Sequence, residues 1–286
     1  MNPDRIKSKI RELSLHYNLS PQELLQMLMF ERFLSRVEKS KYQDYFILKG
    51  GLLIASMVGA ISRTTMDMDA TVQGLKLTHK NVVALIDEIL SIRMEDNIVF
   101  EMLTIKTIRE MDVYENFRVH LIANLGKVRT PLKIDLTTGD KITPTAIEFE
   151  FTRLLEEGVI RIKAYPIETI LAEKYETILK RNIATTRMRD FYDVHILLNR
   201  FKDVIDISIL REAIIKTATH RDSMKYILDA QVYFDDMNKN VTLKEQWKYY
   251  LDINRYISKE LDFEEVLKSS VKLNSLLEID VQAKSK

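Results

Sequence analysis

Between residues 45 and 72 the chain changes period three times, and this stretch constrains the fold more than any other. Tyr45-Phe46-Ile47-Leu48 is a short apolar run of strand type, Lys49-Gly50-Gly51 a turn, and Leu52 to Val58 a helical run. After Arg63-Thr64-Thr65, the segment Met66-Asp67-Met68-Asp69-Ala70-Thr71-Val72 alternates strictly and reads as a strand. The unit is strand, turn, helix, strand, which makes this part of the chain α+β rather than all-helical.

The flanks extend that pattern unequally. Residues 3 to 40 read as helices. Ser20-Pro21-Gln22-Glu23 is a helix start, with Ser as N-cap, Pro at the first position and Glu three residues after the cap. His79 to Ile92 is a further helix with Val82, Val83, Leu85, Ile86, Ile89 and Leu90 inside. Strand candidates follow at Ile98 to Ile108, Phe117 to Asn124, Leu132 to Thr137 and Val159 to Ala164. From Pro166 onward the pattern is helical, with no convincing strand. The expectation is a mixed or antiparallel sheet flanked by helices, then an all-helical C-terminal part. The boundary falls near residues 160 to 166, giving domains of 1–162 and 163–286. The last residues, ending Gln282-Ala283-Lys284-Ser285-Lys286, read as frayed.

Composition narrows the chemistry. Lys plus Arg number 43 and Asp plus Glu 42 in 286 residues, a formal charge of +1, so the chain is neither a polybasic coat nor an acidic tail. The absence of Cys excludes disulfides, thiolate metal sites and cysteine nucleophiles. The five His show no metal-ligand spacing, and His195 reads as a packed core residue. The start of the chain lacks the apolar core of a secretory signal, and the longest apolar stretch, Leu52 to Ile61, is too short to span a bilayer. The expectation is a cytoplasmic protein with no membrane contact.

The strongest chemical signal is Lys49-Gly50-Gly51 followed by Asp67-Met68-Asp69. Positions two apart on a strand share a face, which puts the two carboxylates about 7 Å apart along it. Two such groups aimed at one point repel unless a cation sits between them, and their hard oxygens suit Mg²⁺. A Gly-Gly turn lets backbone N–H groups approach an anion, and the helix behind it adds its positive end. An Asp-x-Asp alone is also what a solvated strand face shows; the Gly-Gly turn at this distance favours a triphosphate and metal cradle. No P-loop, G-x-G-x-x-G, H-E-x-x-H or G-x-S-x-G motif is present. On a further strand, Asp135 lies opposite in face to Ile134 and Leu136. If the two strands are neighbours it joins Asp67 and Asp69 around the metal, or takes a proton from an attacking hydroxyl; otherwise it is a solvated strand-end residue.

In the helical half, Lys174 occupies an apolar stripe with Ile167, Leu171 and Ile178, where a lysine either snorkels out or reaches a buried anion. By helix geometry alone, snorkelling is the simpler reading. Arg187 to Leu198 is a helix apolar nearly all round, in which Asp190 and Asp193 share a side and need cationic partners. Arg189 at i,i+4 from Asp193 is the structural answer; Lys174 or Arg187 is the functional one. Asp235-Asp236 reads as a solvated turn and Trp247 as a core aromatic.

Taken in order, Leu48-Lys49-Gly50-Gly51, Arg63, Asp67-x-Asp69, Leu171-Ala172-Glu173-Lys174 and Arg189-Asp190-x-x-Asp193 resemble the AbiEii/AbiGii toxin family, within the DNA polymerase β-like nucleotidyltransferase superfamily. The resemblance covers roughly residues 44 to 200. It departs in having Gly-Gly where the superfamily often has Gly-Ser, and in Met66 and Met68 flanking Asp67, where relatives often carry a polar neighbour; neither change removes a ligand. The resemblance implies an Mg²⁺-dependent enzyme that transfers a nucleoside monophosphate from an NTP to an acceptor hydroxyl, plausibly a tRNA 3′ end, and a winged-helix antitoxin partner from the same operon. It places Lys49, Gly50, Gly51 and Arg63 on the nucleotide, Asp67, Asp69 and Asp135 on the metal, and Lys174 on the phosphates. Asp193 becomes the essential carboxylate of the last motif, supported by Arg189 and Asp190. Arg161, Lys163, Lys180, Arg181, Arg187 and Arg189 then read as binders of acceptor phosphates, or as ordinary solubilising charge. The alternatives are a protein or small-molecule acceptor, or a non-catalytic module that binds NTP or a partner.

Overall fold

The computed structural model describes residues 3–59, 61–108 and 116–277. The chain divides into two compact units: residues up to Asp140 with Ala146–Tyr165, and Lys141–Thr145 with Pro166 onward. The short excursion Lys141–Thr145 is tied to the second unit through Thr143, whose N–H donates to Thr169 Oγ1 at 2.9 Å while that hydroxyl donates to the Thr143 carbonyl at 3.0 Å.

The first unit opens with α1 (Pro3–Tyr17) and α2 (Pro21–Lys39), the latter started as its sequence predicts, with the Ser20 side chain accepting from the Glu23 N–H and Pro21 in the first turn. There follow β1 (Phe46–Lys49), α3 (Gly50–Val58), β2 (Met68–Val72), α4 (His79–Ser91), β3 (Ile98–Ile108), β4 (Asn116–Leu125), β5 (Val128–Thr137), β6 (Ile147–Thr152) and β7 (Val159–Ala164). The seven strands form one sheet in the order β3-β4-β5-β2-β1-β7-β6. The pairs β1/β7 and β2/β5 are parallel and the others antiparallel, so the sheet is mixed.

The pleat sorts the residues of the central strands into two faces. Phe46 and Leu48, Met68 and Ala70, Phe117 and Val119, and Ile134 and Leu136 are all buried and face the core. There they share the interior with Leu28, Met29, Phe30 and Phe33 of α2 and Val82, Leu85, Ile86 and Ile89 of α4. The intervening positions carry Lys49, Asp69 and Thr71, Asp135 and Thr137, and Arg118. A buried ion pair fastens α2 to the loop before β3: the Arg36 guanidinium donates to both Asp96 carboxylate oxygens at 2.8 and 3.0 Å and to the Ile98 carbonyl at 2.9 Å. Burial pushes the Asp96 carboxyl up, and the hydrogen bonds from Arg36 and the Ile98 N–H, with the charges of Arg36 and Arg32, together more than reverse that.

Three elements differ from the sequence reading. The strand predicted from Met66 begins at Met68, because its ladder with β5 starts at the Met68–Ile134 pair; Asp67 lies just ahead of it. β5 starts earlier than predicted, at Val128, and runs through Pro131, which pairs only with β4; β2 reaches β5 at Ile134 to Thr137, so the proline sits where a missing N–H is tolerated. β6 was not predicted at all, although Ile147-Glu148-Phe149-Glu150-Phe151-Thr152 alternates apolar and polar throughout.

The second unit is helical: α5 (Ile167–Arg181), α6 (Met188–Phe201), α7 (Ile207–His220), α8 (Met224–Leu228), α9 (Ala230–Lys239), α10 (Val241–Ile253) and α11 (Phe263–Leu277). Trp247 is buried and donates from Nε1 to the Leu261 carbonyl at 2.8 Å, as a core aromatic should. Asp235 and Asp236 are exposed on α9 rather than in a turn. His195 is half-buried, with Nδ1 2.9 Å from Ser269 Oγ, and burial lowers its pKa. The predicted frayed end from residue 278 onward lies outside the described residues. Among the described residues no helix is long and apolar enough to cross a membrane.

Candidate active site

The register of the sheet lines up four charged side chains on the face opposite the core. Lys49 pairs with Asp69, Asp69 with Asp135, and Asp135 with Arg118, so the row runs Lys49–Asp69–Asp135–Arg118 across β1, β2, β5 and β4. The neighbour relation that the sequence reading required of Asp135 therefore holds: it sits beside Asp69 on an adjacent strand. Asp67, one residue before β2, contacts the same neighbourhood through Lys133, whose ammonium lies 2.6 Å from Asp67 Oδ1.

Asp67 and Asp135 are met directly by protein cations. The Arg118 guanidinium makes a two-pronged bond to Asp135, Nε to Oδ1 and Nη2 to Oδ2, both at 2.8 Å. Its pKa is held above the ordinary value, first by that hydrogen bond, with the charges of Asp135, Asp67 and Asp69 adding. One guanidinium thus feels all three carboxylates. Among the described residues no group of three His, Asp or Glu side chains is arranged as a ready metal site. The oxygens of Asp67, Asp69 and Asp135 are of the hard kind that Mg²⁺ takes, and the donor set fits that ion in chemistry. Two of the three are engaged by Lys133 and Arg118.

The Gly-Gly turn is built against this row. Gly50 has φ +68°, and a Cβ there would lie 2.3 Å from Asp69 Oδ2. Only glycine satisfies both the backbone angle and the approach. A Cβ on Gly51 would lie 2.9 Å from Arg63 Nη2 and 3.0 Å from Thr65 Oγ1. Arg63 is itself buried, with its guanidinium donating to the Thr64 carbonyl. The backbone at the start of α3 therefore runs between the Asp69 carboxylate and the Arg63 guanidinium, the surroundings an anion and its counter-ion need.

Lys49 is placed differently from the glycines. It is buried, and its ammonium lies 2.6 Å from Asp140 Oδ2 and 5.5 Å from the Tyr165 ring centroid. The same Asp140 oxygen accepts from Thr71 Oγ1 at 2.8 Å, Thr137 Oγ1 at 2.6 Å and the Tyr165 hydroxyl at 3.2 Å. Burial pushes the Asp140 carboxyl up, but Lys49 and these hydroxyls overcome it and hold the pKa well below the ordinary range. Asp140, Thr71, Thr137 and Tyr165 were not singled out from sequence. Nothing local announces the lysine that Asp140 meets 91 positions away.

In the helical unit, Lys174 reaches a buried anion rather than snorkelling. Its ammonium lies 2.6 Å from Asp190 Oδ1 and 2.9 Å from Asp193 Oδ2; the two aspartates are 1% and 0% exposed and the lysine 12%. The Arg187 Nε donates to Asp190 Oδ2 at 2.6 Å. Burial raises the Asp190 carboxyl, and the Lys174 charge with the Arg187 bond overrides it, leaving a pKa of about 2. The i,i+4 partner considered for Asp193, Arg189, is exposed, and Lys174 serves that carboxylate instead. The six basic residues read as possible phosphate binders divide between the units. Arg161 and Lys163 meet Glu150 and Asp44 in the sheet unit, while Lys180, Arg181, Arg187 and Arg189 belong to the helical one.

Comparison with known proteins identifies the family and the fold. Residues 32–269 match the family model described as nucleotidyl transferase AbiEii toxin, type IV TA system. No curated protein matches. Among solved structures, MenT4, the nucleotidyltransferase toxin Rv2826c of Mycobacterium tuberculosis H37Rv, is 14% identical with a TM-score of 0.62, covering 96% of this chain and 91% of that one. JHP933 from Helicobacter pylori is 15% identical with a TM-score of 0.54, covering 93% and 96%. At such identity these two establish a shared fold, and the family match, which spans most of the chain, carries the assignment. The chain belongs to the AbiEii family of nucleotidyltransferase toxins of type IV toxin–antitoxin systems.

Proposed function

We propose that this nucleotidyltransferase moves a nucleoside monophosphate from an NTP to the 3′-terminal hydroxyl of a tRNA, with pyrophosphate leaving and Mg²⁺ held by Asp67, Asp69 and Asp135. The observation that carries the reading is the pairing of Asp69 with Asp135 beside the Gly50-Gly51 turn. The turn offers N–H groups and the positive end of α3 to the triphosphate. Arg63, packed behind Gly51, adds positive charge. When bound, Mg²⁺ would neutralise developing charge on the phosphates during in-line displacement. Asp135 lies one strand further out, where it can accept the proton of the attacking hydroxyl once Arg118 yields one of its oxygens.

Lys49 has its charge committed to Asp140, so its service to the nucleotide is to hold the β1–α3 turn in place. Lys174, with 12% of its side chain accessible, is assigned to the nucleotide phosphates, as the family resemblance implies. Asp193 and Asp190 fix its ammonium, and Arg187 balances their second charge. The exposed Arg189 is left for acceptor phosphates. The natural partner is a cognate antitoxin, and the compartment the cytoplasm.

The test incubates the protein with Mg²⁺, total tRNA and each α-³²P-labelled NTP in turn, beside Asp69→Ala. Label entering tRNA from one NTP, and absent in the variant, is the expected result. Label entering a protein or small molecule instead would replace the acceptor and leave the reaction class in place.

A further inference from the structure

The catalytic carboxylates carry their own substitute cations. Arg118 holds both oxygens of Asp135 and Lys133 holds Asp67, and both cations stand on the same sheet face as the row they neutralise. Neither is buried: the side chains are 36% and 31% exposed, so each can leave at little desolvation cost. A guanidinium and a divalent ion cannot both take the same carboxylate oxygens. A guanidinium set free beside a metal has the forked geometry that matches phosphate oxygens.

We propose that Arg118 and Lys133 are exchangeable counter-ions: they occupy the carboxylates when no metal is bound, and metal entry hands them over to phosphate oxygens of a substrate. This rests on the reading that Asp67, Asp69 and Asp135 together hold the cation. Metal binding thereby creates an anion site alongside itself, and the two ligands favour each other through Arg118. The reciprocity is thermodynamic: phosphate tightens metal by the same factor as metal tightens phosphate. The phosphate belongs either to the NTP or to the acceptor backbone, and the two sources are separable by experiment.

The measurement is Mn²⁺ binding to the full chain, followed by the EPR signal of free Mn²⁺. It is run alone, with a non-hydrolysable α,β-methylene NTP, and with a short oligoribonucleotide. Wild type should bind Mn²⁺ weakly alone, and about 5- to 150-fold more tightly with whichever phosphate source Arg118 meets. Arg118→Gln should bind Mn²⁺ alone more tightly than wild type and lose most of that enhancement, while Arg118→Lys retains part of it. Lys133→Gln should shift in the same direction, which keeps the idea testable should Arg118→Gln unfold. Unchanged or weaker Mn²⁺ affinity in both folded glutamine variants would overturn the exchange. Wild type without Mn²⁺ binding, or Asp69→Asn binding as well as wild type, would overturn the metal assignment and the exchange together.

Discussion

The sheet and helical units solve the same electrostatic problem in opposite ways. In the sheet unit the carboxylates Asp67 and Asp135 lie at a partly open face and their partners, Lys133 and Arg118, are solvent-accessible cations. In the helical unit the carboxylates Asp190 and Asp193 are fully buried and clamp Lys174, which keeps the exposed end. One arrangement presents negative charge held loosely; the other presents positive charge held rigidly. The difference lies in which partner is buried: an uncompensated buried charge is costly, so the buried member fixes the position of the other.

The comparison can be broken or sharpened by substitution. The largest effect should come from Asp69→Ala, which removes a carboxylate of the row: nucleotidyl transfer should fall by about 10³-fold or more, with the melting temperature little changed. Single-turnover rates and a thermal melt check this pair of outcomes. Next, Lys174→Ala leaves two buried aspartates without their shared ammonium and should destabilise the helical unit by about 3–5 kcal/mol. Urea denaturation would measure it, and the triple change Lys174→Met, Asp190→Asn, Asp193→Asn should recover much of the loss. Stability recovery without recovery of activity is the outcome that separates the two roles of Lys174.

Gly50→Ala comes third. Strain at φ +68° together with the contact on Asp69 should cost about 1–3 kcal/mol, and activity should fall further than stability does. A pH effect should follow the buried pair. The folded Asp190 pKa is depressed from 3.8 to about 2. Its stabilising contribution is therefore complete above about 4 and is lost as pH falls toward 2. Acid unfolding followed by far-UV CD should show the helical signal failing in that window, and Asp190→Asn should remove that part of the dependence. The smallest effect belongs to Lys133→Ala, whose exposed pair should cost under about 1 kcal/mol. A loss as large as that of Lys174→Ala would erase the distinction between loose and rigid charge.

Much of this was legible along the chain because it is local. Alternation at Asp67–Val72, the Gly-Gly turn and the Ser20-Pro21 helix start depend on neighbours within a few residues. β6 was equally legible by its alternation and was missed; as an edge strand paired only with β7 it carries exposed glutamates, which mask a strand among polar residues. The snorkelling reading of Lys174 failed for a different reason. Helix periodicity locates a lysine on an apolar stripe but does not supply the acids that face it, and those come from α6.

The order of motifs from Lys49 to Asp193 was enough by itself to point to the family and the α+β class. Tertiary structure alone decided which charges meet. Asp69 stands beside Asp135 because β2 and β5 are parallel neighbours in one register, and Lys49 answers Asp140 across 91 positions. Arg118 covers Asp135 because β4 pairs with β5 one strand further out. The physical reason is that Coulomb interactions and hydrogen bonds act over ångströms in space, and only strand register and helix packing convert sequence separation into that distance.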